Sequence, residues 1–283
     1  MKYINSKYSN LLASNNLLDF SAILNNKSIP WFEEPNIGRN GLSGVKKLKI
    51  SDSQREFNVF IKIQQNYYLN NKLSKFLPFI KKTLVAKREY NNIKKLSKNK
   101  IPTCEILYFK DYKSQALLIT KELTDYYDLK SVLYNLKDNL FPEEDVLKKI
   151  AKSLALEIAR LHKTKYSHNC LYPKHIFINS DFNIAFIDFE KCKKTIFGKY
   201  NILRDLECLF YHVSKILNNS NCCIDISTNF KLKKIYIYFM RIYIQNYYNI
   251  NNKKQIKNKI ACLFDKIYKR SINKRNKYLQ HNL

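Results

Sequence analysis

Residues 168–178 read HNCLYPKHIFI, and residues 186–190 read FIDFE. Two histidines bracket a cysteine, and an aspartate follows on an apolar run. Three chemistries use such residues: a zinc site, a Cys/His nucleophile, and the catalytic loop of a phosphotransferase.

For zinc, His168, Cys170 and His175 would be joined by Cys192, or by Cys208 and His212 one helical turn apart. Strong zinc signals pair two close ligands at each of two places, and that spacing is missing here. His175 also reads as part of an apolar strand. A nucleophile would need a Cys170 thiolate held by His168, two residues away on an irregular loop. The third chemistry rests on the order of elements along the whole chain.

Upstream, EPNIGRNGLSGVKKLKI (34–50) places Gly41, Ser43 and Gly44 in a loop leading into an alternating segment, and FNVFIKI (57–63) reads as the next strand. Thr83 to Asn99 carries Val85, Tyr90, Ile93 and Leu96 at helical spacing, with Glu89 beside that stripe, and Ile101-Pro102 ends the helix. EILYF and QALLITKEL add two strands. The second half turns helical. Pro142-Glu143-Glu144 starts a helix that runs through VLKKIAKSLALEIARLHK and delivers the chain to His168. HIFIN and NIAFIDF form a hairpin across Asn179-Ser180-Asp181 that displays Asp188. RDLECLFYHVSKIL reads as a buried helix, and a Lys- and Tyr-rich helical region follows from about Asn229. The expected class is α+β in two lobes: an extension over 1–30, a nucleotide-binding sheet lobe over 31–124, and a mainly helical lobe over 125–283.

In that order these are the parts of a protein-kinase-like phosphotransferase. Backbone N–H groups from Gly41 to Gly44 can approach phosphates closely, and Ser43 adds a donor. Lys62 would sit on the α and β phosphates of ATP, Glu89 would hold its ammonium by an ion pair, and Asp188 would bind Mg²⁺. The reading requires Lys62, Glu89 and Asp188 to converge on one cleft.

The segments EPNIGRNGLSGV, FIKIQQNYY, KREYNNIKKL with IPTCEILYF, ARLHKTKYSHNCLYPKHIFI, FIDFEKCKK and RDLECL together resemble the lipopolysaccharide kinase InaA-like family, a branch of the kinase-like superfamily related to heptose and Kdo kinases. The likeness runs from about Trp31 to His212. It implies ATP with Mg²⁺ and transfer of the γ-phosphate to an inner-core sugar of lipopolysaccharide, at the cytoplasmic face of the inner membrane. It also implies that His168 is the loop's scaffold histidine and that Asp205 anchors the loop backbone.

One departure bears on mechanism. In the pattern HxDxxxxN the aspartate accepts the substrate's proton, and here Cys170 stands in its place. His175 replaces the asparagine, which makes it the second member of the metal pair with Asp188. A thiol of pKa about 8.5 is only a few per cent thiolate at neutral pH. Glu190 is the candidate substitute: if the strand persists past Phe189, residues two apart share a face and Glu190 points with Asp188. Lys174 would steady the γ-phosphate in place of the basic residue normally found at Tyr172.

A net charge of +28 over 283 residues calls for an anionic partner, here the glycolipid and an anionic membrane surface, or else reflects a chain-wide drift in composition. No groove-reading motif supports nucleic acid. Seven scattered cysteines fit reduced thiols, and no segment reads as a signal peptide or a membrane span. No obligate protein partner is expected. The alternative to an enzyme is a pseudokinase that holds nucleotide or glycolipid without turnover.

Overall fold

The computed structural model describes residues 1–38, 41–52, 55–68, 83–138, 144–195, 199–218 and 230–281. Pro142 and Glu143, proposed above as a helix start, lie outside them, as do Cys222 and Cys223. The chain divides into two compact units, Met1–Lys98 with Thr103–Thr124, and Asn99–Pro102 with Asp125–Leu283.

The first unit is built on alternation. Its elements are β1 (Lys2–Ile4), α1 (Ser9–Ser14), α2 (Phe20–Asn25), β2 (Trp31–Gly38), β3 (Gly41–Ser51), β4 (Glu56–Gln65), α3 (Val85–Lys98), β5 (Ile106–Tyr112) and β6 (Gln115–Lys121). The strands form one antiparallel sheet in the order β1-β5-β6-β4-β3-β2. On β4 the odd positions Val59, Ile61 and Ile63 are fully buried on one face, while Lys62 and Gln64 occupy the other. The helix α3 covers the second face with Val85, Ala86, Glu89, Tyr90, Ile93 and Leu96, the spacing of one helical stripe.

Residues 1–30 correct the expected extension. Tyr8, Leu11, Leu12, Leu17, Phe20, Ile23 and Ile29 join Val59, Ile61 and Ile63 in a single apolar cluster. Without this cap the sheet would expose three β-branched side chains, each of which gains about 1.5–3 kcal/mol on burial. Asp19 caps α2 by accepting the Ala22 N–H at 2.7 Å. The buried Lys46 of β3 donates from the opposite end of that helix, to the carbonyls of Ile23 at 2.9 Å and Asn26 at 2.7 Å, over the Trp31 ring.

The glycine segment is a second correction. Gly41, Ser43 and Gly44 lie in strand β3, paired with β4, instead of in a loop. Packing explains both glycines. A Cβ on Gly41 would lie 2.5 Å from the Asn66 backbone, and one on Gly44 would lie 2.6 Å from the Trp31 ring.

The second unit comprises β7 (Tyr126–Asp128), α4 (Leu129–Asp138), α5 (Glu144–Lys163), β8 (Tyr166–Ser167), β9 (Ile176–Asn179), β10 (Ile184–Phe186), β11 (Lys193–Lys194), α6 (Lys199–Asn218), α7 (Phe230–Tyr248) and α8 (Lys253–His281). Acids in the first turn of α5 and bases in its last suit the helix dipole. The hairpin β9–β10 turns as its sequence suggests, with Asn179 accepting the Phe182 N–H on its carbonyl and the Asn183 N–H on its side chain. The Lys- and Tyr-rich α7 packs as a core helix through Tyr236, Phe239, Met240, Tyr243 and Ile244. Among the described residues no helix is long and apolar enough to cross a membrane.

If residues 1–30 are integral, Leu12→Ala should lower the free energy of urea unfolding by about 2–5 kcal/mol. A loss within about 0.5 kcal/mol, the size of a surface change, would return this segment to the status of an extension.

Candidate active site

In the first unit the strand lysine meets the helix acid. Lys62 Nζ lies 2.5 Å from Glu89 Oε2, with both side chains largely withdrawn from solvent. Glu89 stands within the buried stripe of α3 and not beside it. Cys104 lies in the same electrostatic neighbourhood, and burial pushes its thiol up to about 11, so it is a neutral wall group. The sequence did not single out Gln64. It is buried between Ser43, whose Oγ accepts its amide N–H at 3.1 Å, and Ala86, whose backbone N–H it accepts at 2.7 Å.

In the second unit one carboxylate organises the loop. Asp205, fully buried on α6, accepts the backbone N–H groups of His168 and Asn169, each at 2.7 Å, and faces His162 Nε2 at 3.1 Å. The other ring nitrogen of His162 meets the Tyr243 hydroxyl at 2.8 Å. His168 passes this anchoring on, its Nε2 lying 2.9 Å from the Ile187 carbonyl oxygen. Asn169 is left-handed (φ 63°), a conformation asparagine tolerates, and its amide reaches Ser167 and the Lys191 carbonyl. Neither Asn169 nor Tyr243 carries a motif signal, because Asp205 and Lys191, which hold Asn169, and His162, which meets Tyr243, lie far along the chain from them.

Several expectations change here. His175 ends a short 3-10 helix, Pro173–His175, instead of sitting within a strand. Its Nδ1 lies 2.9 Å from the Cys170 carbonyl, and its Nε2 faces Asp188 Oδ2 at 3.3 Å. The strand β10 stops at Phe186, and Asp188 is left-handed (φ 61°, ψ 59°), heading the 3-10 turn Phe189–Lys191. The condition set for Glu190 is therefore unmet: strand alternation does not align it with Asp188. Lys174 is exposed.

Cys170 is buried, and burial raises its thiol above the ordinary range despite the opposing pull of the nearby Lys191 cation. With His168 Nε2 at the Ile187 carbonyl and His175 Nδ1 at the Cys170 carbonyl, the imidazole–thiol arrangement of a cysteine nucleophile is not built here. The zinc reading also falls, because among the described residues no three His, Cys, Asp or Glu are placed to hold a metal. His212 instead lies edge-on to Tyr172. Mg²⁺ takes hard oxygen donors, and Asp188 supplies a carboxylate that remains a quarter exposed. The group fits Asp188, whereas the nitrogen of His175 suits softer metals.

A sheet unit with a lysine–glutamate pair, followed in sequence by a mainly helical unit with a carboxylate-anchored loop, is a protein-kinase-like fold. The model of the lipopolysaccharide kinase (Kdo/WaaP) family matches residues 24–224, and the chain belongs to that family. It is 25% identical to Protein InaA of Escherichia coli (strain K12) over 173 residues, which covers 59% of this chain and 75% of that protein. A solved chain described as "WaaP in complex with acyl carrier protein" shares the fold with a TM-score of 0.62 at 15% identity, covering 96% of this chain and 98% of that one.

Asp205→Asn would turn an amide N–H₂ toward donors that now share a carboxylate. It should lower unfolding free energy by about 3 kcal/mol, against about 0.5 or less for Asp181→Asn in the exposed hairpin turn. Equal effects for the two substitutions would remove Asp205 from its anchoring role.

Proposed function

We propose that the protein is an ATP-dependent phosphotransferase that places the γ-phosphate on an inner-core sugar hydroxyl, of heptose or Kdo, in lipopolysaccharide. The observation that carries this reading is the fixed position of Asp188: a left-handed carboxylate beside His175, reached through the Asp205–His168–Ile187 chain of hydrogen bonds. In this reading Lys62, held by Glu89, takes the α and β phosphates, and Asp188 holds Mg²⁺. In this reading the Ser43 hydroxyl is the donor that the Gly41–Gly44 segment offers the phosphates, because its backbone is paired within the sheet. Bound Mg·ATP supplies the phosphoryl group and neutralises its charge. His168 acts through Ile187 as a positioning residue, and the exposed Lys174 adds positive charge for an anionic acceptor.

The base remains the weak point. Phosphoryl transfer relies chiefly on positioning and charge neutralisation, so a site without its carboxylate base turns over slowly instead of not at all. The second reading, a pseudokinase that binds without turnover, is favoured by the buried Cys170 thiol.

The partner is anionic in either case. Residues 230–281 hold 14 Lys and Arg against one acid, Asp265, so nearly half of the net charge belongs to α7 and α8. On α7 the exposed Lys233, Lys234 and Arg241 flank the exposed Ile237. Cations around an apolar side chain suit peripheral contact with an anionic membrane, to which each cation adds on the order of 1 kcal/mol. The cytoplasmic face of the inner membrane is the corresponding location. The WaaP chain's described complex makes acyl carrier protein a candidate partner as well, which amends the expectation of none.

Transfer of labelled γ-phosphate to purified core glycolipid tests the proposal. Wild type should transfer slowly, Asp188→Ala should abolish transfer, and Cys170→Asp should raise kcat by on the order of 10²-fold by restoring a base. Nucleotide binding without transfer in wild type and Cys170→Asp alike would establish the pseudokinase.

A further inference from the structure

Strand β4 reaches α3 at two points, and only one of them belongs to the motif. Lys62 and Gln64 are two residues apart and so share a face of the strand; Ala86 and Glu89 are three apart and so share a face of the helix. Lys62 pairs with the Glu89 carboxylate, and Gln64 Oε1 accepts the Ala86 backbone N–H at 2.7 Å. Ala86 N–H is one of the donors that a helix start leaves without an intrahelical acceptor. The residue just before α3 is Leu84, whose side chain offers no oxygen, so the cap comes from the neighbouring strand. The other half of the Gln64 amide donates to Ser43 Oγ on β3, its cross-strand partner. Gln64 is fully buried, so neither amide group can be satisfied by bulk water.

We infer that Gln64 is a positioning residue: it ties the glycine-bearing strand to the start of α3 and thereby holds Glu89 in register with Lys62. This deepens the phosphotransferase reading and rests on it for its consequence, because the Ser43 hydroxyl hydrogen stays available to a phosphate oxygen while its Oγ accepts from Gln64. A phosphate engaged at Ser43 is then coupled through one amide to the helix that orients the nucleotide lysine. A side chain that merely filled the core would not govern that ion pair.

The test reads the ion pair directly. Amine-selective labelling of Lys62 in the full-length protein, followed by mass spectrometry, reports how often Nζ leaves Glu89, with exposed Lys49 as the internal reference. Gln64→Leu keeps the approximate volume and removes both hydrogen bonds. It should raise the Lys62 rate by about tenfold, the scale of one lost hydrogen bond. Gln64→Glu keeps an acceptor for Ala86 and can accept from the Ser43 hydroxyl, so it should restore the rate to within about twofold of wild type. A fall in thermal midpoint with Lys62 labelling unchanged would reduce Gln64 to a packing residue and overturn the inference. Should Gln64→Leu not fold, Ser43→Ala serves instead: it should speed both Lys62 labelling and hydrogen exchange at the Ala86 amide by roughly threefold, and no change in either would overturn the link. Titration with Mg·ATP separates the two levels. Failure of wild type to bind nucleotide would sink the phosphotransferase reading while leaving the Lys62 result to judge Gln64.

Discussion

A carboxylate removed from water must be surrounded by donors, and that requirement at Asp205 shapes the second unit. An isolated buried charge costs several kcal/mol, and the cost is offset here by two backbone N–H groups and an imidazole nitrogen. These donors come from the loop and from α5, and Tyr243 on α7 meets the same imidazole. Three helices and one loop are therefore fixed about a single anion. The segment that follows inherits this rigidity: His168 is held at its backbone, its ring meets the Ile187 carbonyl, and the next residue is Asp188 in a conformation that costs a non-glycine residue on the order of 1 kcal/mol. Strain at a carboxylate is tolerable only where the surroundings leave it no alternative.

The first unit solves a different problem with the same economy. A sheet apolar on one face and polar on the other must be covered twice, by different kinds of surface. The segment before Trp31 supplies the apolar cover through two short helices. On the other face α3 brings Glu89 to Lys62, and Gln64 caps the helix from below. The glycines of β3 serve close approach, to the Asn66 backbone and to the Trp31 ring, so their steric role is explained before any phosphate is considered.

What could be read from the letters follows the range of the forces involved. The strands around Lys62, the stripe of α3, the helix before His168 and the β9–β10 hairpin are all set by local periodicity and turn chemistry, and the sequence displays them. The early helices α1 and α2 leave no pattern in the sequence because each has six residues, too few to show a stripe. The end of β10 at Phe186 is hidden in the sequence because the apolar run continues past it through Ile187 and Phe189, while the hydrogen bond at the Ile187 carbonyl belongs to the tertiary structure. Gln64, Asn169, Lys191 and Tyr243 lie outside any motif because each acts on a partner that only folding brings near.

In the proposed reading Cys170 stands where a kinase-like loop carries an aspartate, and that difference is best weighed by charge. In a kinase-like site that keeps its aspartate, the loop contributes an anion beside the carboxylate proposed here, at Asp188, to hold the metal. Here the buried sulfur is neutral, and Lys191 lies against it. On that reading the loop carries a neutral group where a kinase-like loop carries a negative one, a local difference of one charge unit in the positive direction. That difference lowers the capacity to remove a proton from a hydroxyl. It also raises the attraction for an acceptor that already carries phosphate or carboxylate groups, and over a few ångströms at an effective dielectric of about 20 such an attraction reaches several kcal/mol before desolvation. Proton removal contributes only part of the acceleration in a loose phosphoryl transfer, whereas binding and orienting an anionic acceptor contribute more. A thiol beside a lysine is therefore coherent with an enzyme whose acceptor is strongly anionic, and the same arithmetic would weigh against one that phosphorylates a neutral hydroxyl compound.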